Sequence, residues 1–366
     1  MRTPVAVITG FLGSGKTTLL NRLLQRPEMA GAAVIINEFG EIGLDHLLIA
    51  TPSENTILLS SGCLCCTVRG DLVETLADLY RKRRDARVPA FDRVIVETTG
   101  LADPVPIIQT LVSDPELAPL FALDSVVTLV DAVNGAGQLD RNAESVKQAA
   151  VADRLLLTKT DLTTEETTAA LESRLARINP GAAIHRTEHG AIEPRALFGA
   201  AMTDADASAD AVQRWLRDAS FAEAQSHHHE HHAHDTVDDV NRHDDHIRAF
   251  CVYHDAPVSA AGLEMWLNMV AALRGANLLR VKGILNVDGK PVAVHAVQTL
   301  IHEPVALERW PDHDRRSKLV FITRDMARAD IERTLPMLGF RADPAQGRAL
   351  DPAAYAQFLA AAKGFR

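Results

Sequence analysis

The stretch Gly10-Phe-Leu-Gly-Ser-Gly-Lys-Thr17 follows the apolar run Val5-Ala-Val-Ile8 and leads into Thr18-Leu-Leu-Asn-Arg-Leu-Leu24. This order reads as strand, glycine-rich turn and helix, and the spacing Gly-x4-Gly-Lys-Thr is that of a phosphate-binding loop. Glycines let the backbone curl until several N–H groups face one cluster of phosphate oxygens, and the new helix adds the positive end of its dipole. Gly10, Gly13, Ser14, Gly15 and Thr18 are the candidate cradle. Lys16 is placed to reach the β- and γ-phosphates, and the Thr17 hydroxyl to ligate Mg²⁺. A turn that merely happens to be glycine-rich is the plain alternative. The flanking strand and helix and the Lys-Thr pair weigh against it, so a nucleotide is the expected ligand.

Outward from this loop, Ala32-Ala-Val-Ile-Ile36 fits a buried parallel strand. It runs into Asn37-Glu-Phe-Gly-Glu-Ile-Gly-Leu-Asp45, acidic and glycine-rich, at the strand edge where open α/β sheets bind ligands. A solvated acidic loop is the alternative reading there. Ile57-Leu-Leu-Ser-Ser-Gly-Cys-Leu-Cys-Cys66 then holds three of the four cysteines. Thiolates are soft ligands for Zn²⁺, and also for Cu(I), Co or Ni. Adjacent Cys65 and Cys66 are badly placed to bridge each other, so Cys63, Cys65 and Cys66 are candidate metal ligands, with burial or a redox pair as alternatives. Three thiolates leave a fourth position for solvent or for Glu38 or Glu41.

Residues 71–84 carry helical spacing through Leu72, Leu76 and Leu79, and Arg93-Val-Ile-Val-Glu-Thr-Thr-Gly100 reads as a strand ending in an acid and a glycine. Glu97 there suits the Mg²⁺ shell, and Gly100 an approach to the γ-phosphate. Two more apolar strands, 125–131 and 154–161, follow. The second ends in Thr158-Lys-Thr-Asp161, one letter from Asn-Lys-x-Asp. An ionised Asp161 accepts from the N1–H and 2-amino group of guanine, donors that adenine lacks. A helix over 163–178 with Thr163 or Thr164 as its cap, and a last strand at 182–187, complete a mostly parallel sheet with helices on both faces.

Composition then changes. Residues 203–246 show little apolar periodicity, and His227, His228, His229, His231, His232 and His234 crowd eight positions. So polar a stretch cannot bury enough surface to fold alone. It reads as a connector whose imidazoles can collect metal. Beyond it, 247–253 is strand-like and Ser259 precedes a helix through Leu263, Trp266, Leu267, Val270 and Leu273. Strands at 278–287 and 291–297 flank the hairpin signal Asp288-Gly289. Further strands are expected at 305–310 and 318–323, and a helix at 325–338. The expected organisation is an α/β domain over 1–202, a connector over 203–246, a smaller α+β domain over 247–343 and a tail over 344–366. His295, His302 and Cys251 read as structural.

The totals limit the partners. A formal net charge of −10 argues against a general nucleic-acid binder. No apolar run approaches a membrane span, and Met1-Arg-Thr-Pro runs straight into the first strand, leaving no room for a secretory signal. With its thiols crowded rather than paired, the chain is expected in the cytoplasm.

Five stretches together resemble the CobW-type metallochaperone GTPases, relatives of the nickel-insertion GTPases of hydrogenase and urease maturation. They are Gly10–Leu20, Asn37–Glu41, Gly62-Cys-Leu-Cys-Cys66, Glu97–Ala102 and Thr158–Asp161. The resemblance extends over nearly the whole chain, since Trp310–Thr323 looks like that family's C-terminal domain and a histidine-rich insertion between domains also occurs among its members. It implies GTP binding, slow hydrolysis to GDP with Mg²⁺, and delivery of a transition metal, often zinc, to a client metalloprotein. By motif it assigns residues 13–17 to the phosphates, Glu97 to the Mg²⁺ site, Lys159 and Asp161 to the guanine, and Cys63, Cys65 and Cys66 to the transferred metal. Thr158 departs from the usual Asn. Co²⁺ or Ni²⁺ as cargo and a homodimer stay open, as do clients in cobalamin or nitrile-hydratase assembly. A zinc store with a vestigial loop and a small-molecule kinase are the competing readings. Lys16, Thr17 and Glu97 weigh against the first, and Asp161 and the cysteines against the second.

Overall fold

The structure is a computed structural model that describes residues 2–37, 57–61, 68–200, 212, 246–275 and 277–341. These fall into two compact units, one within 2–200 and one formed by Val212 with 246–341. The proposed connector lies outside the described residues, apart from Val212 and His246.

The first unit is a seven-stranded sheet in the order β3-β2-β4-β1-β5-β6-β7. Its strands are β1 (Thr3–Gly10), β2 (Ala32–Asn37), β3 (Ile57–Ser61), β4 (Arg93–Glu97), β5 (Phe121–Asp131), β6 (Arg154–Thr158) and β7 (Ala183–Arg186). Every pairing is parallel. Near-continuous apolar strands such as Val5–Ile8 and Ala32–Ile36 are buried on both faces, as a covered parallel sheet requires. On one face Leu19, Leu20, Leu23 and Leu24 of α1 (Lys16–Leu24) pack with Ala6, Ile8, Val34 and Ile36. The alternate residues Val5, Val7, Ala33 and Ile35 are equally buried. Helix α2 (Val68–Arg84) contributes buried Leu72, Leu76 and Leu79, and its Tyr80 meets Phe121 of β5 edge to face.

Two features of this sheet go beyond the sequence reading. Ile57–Ser61, read only as the approach to the cysteines, is an edge strand. And β4 lies between β1 and β2, so these two strands, consecutive along the chain, are not neighbours. The acid-capped helix expected from about 163 is observed at Glu165–Ile178, with the Thr164 side chain accepting from Thr167 N–H.

The second unit is an antiparallel sheet in the order β11-β10-β9-β13-β8, with β12 also on β10. Its strands are β8 (Ile247–His254), β9 (Leu278–Val287), β10 (Lys290–Val297), β11 (Leu300–Ile301), β12 (Val305–Ala306) and β13 (Ser317–Arg324). Val287 pairs with Lys290, and both turn residues have positive φ, Asp288 at 48° and Gly289 at 87°. That is the twist-matched two-residue hairpin its sequence predicts. The strand expected over 305–310 shrinks to two residues: Leu307 N–H bonds Pro291 O one residue from where β10 begins, so the partner runs out. The helix expected over 325–338 is instead a five-residue turn at Arg328–Glu332 and a 3₁₀ turn at Leu335–Gly339. Asp325 at φ 50° lies outside helical space, and Pro336 has no N–H to donate. Cys251 is buried, and His295 stacks on His302 with ring centroids 4.4 Å apart.

The helix Ala260–Arg274 lies against this sheet, capped by Ser259, whose Oγ accepts from Gly262 N–H at 2.9 Å. Trp266 is its largest buried side chain and donates to Thr334 Oγ1. A Cβ at Gly262 would stand 2.3 Å from Leu338 O. Alanine normally favours a helix over glycine by up to about 1 kcal/mol. Here overpacking against a backbone oxygen outweighs that gain, and we expect Gly262→Ala to destabilise the chain by about 1–3 kcal/mol in urea unfolding. A gain in stability would show that the 3₁₀ turn simply moves away.

Candidate nucleotide and metal site

At the end of β1 the chain turns through Gly10, Gly13 and Gly15, with φ of 141°, 73° and 94°. A side chain is excluded most firmly at Gly10, where a Cβ would lie 2.4 Å from Leu129 O. Left-handed Gly15 opens α1, and Leu19 N–H returns to its carbonyl at 2.9 Å. Lys16 Nζ folds along the loop to within 2.9 Å of Gly10 O. Ser14 is fully buried, and its Oγ has no hydrogen-bond partner among the described residues. A shielded hydroxyl, the lysine ammonium and backbone held in left-handed conformations form a donor set suited to phosphate oxygens.

Glu97 ends β4 with 3% exposure, in register with Ile8 on β1 and Ile36 on β2. The loop after it is tied down by Thr98, which bonds Ile8 O through its N–H and Thr9 Oγ1 through its hydroxyl. Gly100 sits against the phosphate loop so closely that a Cβ would lie 2.6 Å from Leu12 N. Thr17 is half-buried at the start of α1.

On the other side of β1, Thr158 Oγ1 donates to Ser14 O at 2.8 Å, joining the end of β6 to the phosphate loop. Lys159 follows in left-handed conformation, and its Nζ lies 2.6 Å from Asp131 Oδ2. Asp161 falls in a 3₁₀ turn as an exposed residue, its side chain 24% exposed. Sequence reading missed two contributors here. Asp131 closes β5 as Glu97 closes β4, and the same strand-end rule would have found it. The loop after β7 brings His189 Nε2 to 3.7 Å from Asp161 Oδ2 and packs Gly190 against Thr18 and Leu19. Both residues have positive φ, a constraint invisible in their identities except at the glycine.

Asp131 is nearly inaccessible. Burial alone would raise its carboxyl, but hydrogen bonds from Lys159, the Asn134 side chain and the N–H groups of Val133 and Asn134 more than offset this, holding it below the ordinary range.

The candidate metal ligands Glu38, Glu41, Cys63, Cys65, Cys66, His227, His228, His229, His231, His232 and His234 lie outside the described residues. Among the described residues no group of three or more His, Cys, Asp and Glu could hold a metal. The sheet does fix where the chain departs toward them. Asn37 and Ser61 are register partners at the ends of β2 and β3, so Glu38 and Gly62 are each the next residue from adjacent points of one edge. The large apolar residues exposed among the described ones, Leu12, Leu101, Val133 and Leu162, all follow strands at this same edge.

Comparison with known proteins gives two family matches. The model of the CobW/HypB/UreG nucleotide-binding domain matches residues 4–186, and that of the cobalamin synthesis protein cobW C-terminal domain matches 247–338. The chain is 34% identical over 323 residues to the zinc chaperone YjiA of Escherichia coli (strain K12), covering 87% of this chain and 94% of that one. It is 28% identical to the zinc chaperone CobW of Sinorhizobium sp, over 92% and 97% of the two chains. The crystal structure of Zn(II)-bound YjiA GTPase from E. coli superposes with a TM-score of 0.67 at 29% identity, covering 93% of this chain and 100% of that one.

A carboxylate with a depressed pKa stabilises the fold above its unfolded value, near pH 4, and loses that contribution as pH falls through the lower folded value. Lys159→Met removes the cation and leaves the burial, so Asp131 will protonate at higher pH. We expect acid unfolding, followed by circular dichroism, to begin at higher pH in the variant. Coincident acid transitions would show that the pair contributes nothing to the folded state.

Proposed function

The chain belongs to the CobW/HypB/UreG family, and from that premise we propose that it is a GTP-hydrolysing metallochaperone. It holds a transition metal, zinc foremost, on Cys63, Cys65 and Cys66 and passes it to a client metalloprotein according to nucleotide state. The observation that carries this reading is the strand order. Glu97, at the end of β4, stands between the strand that enters the phosphate loop and the strand that leads to Glu38. The strand that enters the phosphate loop and the strands that run toward Glu38 and Cys63 thus end at one edge of one sheet. With strands about 4.8 Å apart, three steps separate the end of β1 from that of β3, on the order of 14 Å. That is short enough for one loop to answer to both ligands.

In this reading the backbone of residues 13–17 and Lys16 bind the phosphates. Thr17 and buried Glu97 offer the hard oxygen ligands that Mg²⁺ prefers, and that ion, when bound, neutralises charge on the β- and γ-phosphates. Asp161 accepts from guanine while Lys159, anchored on Asp131, flanks the base. The histidines of 227–234 act as an additional collector of metal on a tether between the two domains. The relatives named zinc chaperones support zinc as cargo. A bare metal store would have no use for the Thr158–Ser14 tie or the placement of Glu97.

Titration calorimetry with GDP and ADP tests the nucleotide half of the reading. Wild type should prefer GDP, Lys16→Ala should bind neither, and Asp161→Ala should lose roughly 2–5 kcal/mol of guanine preference with the loss of two charge-assisted bonds. Equal binding of ADP and GDP by wild type would contradict the base assignment.

A further inference from the structure

We propose that Gln148, with Lys147 beside it, is the positioning residue that holds the loop after β4 against the phosphate loop and so sets the preference of the site for GTP over GDP. The proposal rests on the GTPase reading above and adds to it a residue that touches no phosphate.

The loop in question is Gly100–Asp103. Its first residue has no room for a side chain, because Leu12 N and Cα would lie 2.6 and 2.8 Å from a Cβ there. Steric fit alone permits this contact but does not hold it. The holding groups come from the helix Ala143–Val151. Gln148 Nε2 donates to Gly100 O at 3.2 Å and to Ala102 O at 2.9 Å. Lys147 Nζ bonds Asp103 Oδ2, and the other oxygen of Asp103 accepts from Val105 N–H at 3.0 Å, where the next helix begins. Two consecutive residues of one helix therefore grip three of the four residues of the loop, Gly100, Ala102 and Asp103.

The chemistry at Gln148 is specific. Only the amide nitrogen can face two carbonyl oxygens, which fixes the orientation of the group. Its Oε1 is consequently buried with no hydrogen-bond partner among the described residues. An apolar side chain would avoid that unsatisfied oxygen, so a glutamine here is explained by the two carbonyls it holds rather than by the core it sits in. The anchor is also fixed from behind, since Gln148 is 1% exposed and its own carbonyl accepts from Thr128 Oγ1 at 2.8 Å. The same helix leads into β6, whose last residue, Thr158, bonds Ser14 O. One structural piece thus grips the loop after β4 at one end and the phosphate loop at the other.

GTP differs from GDP by the γ-phosphate, the group a backbone at Gly100 would meet. A loop held in place gives that phosphate a preformed contact, whereas a loosened loop must be ordered each time at an entropic cost. GDP makes no use of the contact. The clasp should therefore weigh on the two nucleotides unequally.

The test uses the full chain with Gln148→Met, which keeps length and apolar volume but donates nothing, and Lys147→Met, which is partly exposed and leaves the core intact. Each is titrated with GDP and with a non-hydrolysable GTP analogue, and GTP turnover is measured. For Gln148→Met we expect a GDP Kd within about twofold of wild type, an analogue Kd weaker by about tenfold, and kcat lower by about tenfold. Lys147→Met should shift in the same direction by less, and it carries the test if the first variant does not fold. Equal weakening of both nucleotides would reduce Gln148 to a structural residue, and no change in either would remove the clasp. A wild type that binds neither nucleotide would overturn the GTPase reading and the clasp together, whereas a binding wild type with unshifted variants overturns the clasp alone.

Discussion

The hydrogen bond from Thr158 Oγ1 to the carbonyl of Ser14 ties two strands, β6 and β1, that are not neighbours in the sheet. A loop that turns its N–H groups inward toward phosphate turns carbonyls outward, and buried carbonyls require donors. Lys16 serves Gly10 and Thr158 serves Ser14, while Ser14 N–H closes the turn on Phe11 O. Thr158 stands where the resembling family normally has asparagine. Its hydroxyl is committed to the loop, tying the end of β6 to the phosphate loop. The neighbouring pair then falls into place: Lys159, in left-handed conformation, reaches back to Asp131, and Asp161 is carried one turn further along the same edge.

Much of this was legible in the sequence because it rests on local rules. Glycine spacing, strand-end acids, the Asp288-Gly289 turn and the threonine cap all act within a few residues, and the structure shows each of the last two at or next to its expected position. Nonlocal features were not legible. Nothing in Ile57–Ser61 announces a parallel partner, since five residues alternating between two uses, strand or approach to a cysteine cluster, carry no periodicity that decides. The insertion of β4 between β1 and β2 is a property of the whole sheet. The grip of Gln148 depends on carbonyls nearly fifty residues away, and a glutamine in a mixed polar and apolar helix is ambiguous until its partners are seen. The helix drawn over 325–338 failed for a local reason that the apolar spacing masked, the proline at 336.

The strand order gives the coupling of nucleotide and metal a physical basis. Glu97 sits between the phosphate loop and the strand that departs toward Glu38, and the partner of that strand departs toward Cys63. In the proposed reading a γ-phosphate that orders the loops at this edge also changes how the chain leaves β2 and β3, and loops ordered by a γ-phosphate are a known form of switch. Thermodynamic linkage then makes the effect mutual: if nucleotide changes metal affinity, metal must change nucleotide affinity by the same factor.

That reciprocity is the central claim, and zinc titration measures it directly. Zn²⁺ is titrated with a competing chelator into the apo, GDP-bound and GTP-analogue-bound forms, alongside a Cys65→Ser/Cys66→Ser variant. The account predicts zinc affinities that differ between the GDP and analogue forms by roughly 5- to 150-fold, the range of ordinary allosteric coupling, with the difference absent in the variant. Equal zinc affinity in all three wild-type forms would contradict it, leaving a nucleotide-binding protein that merely also binds metal.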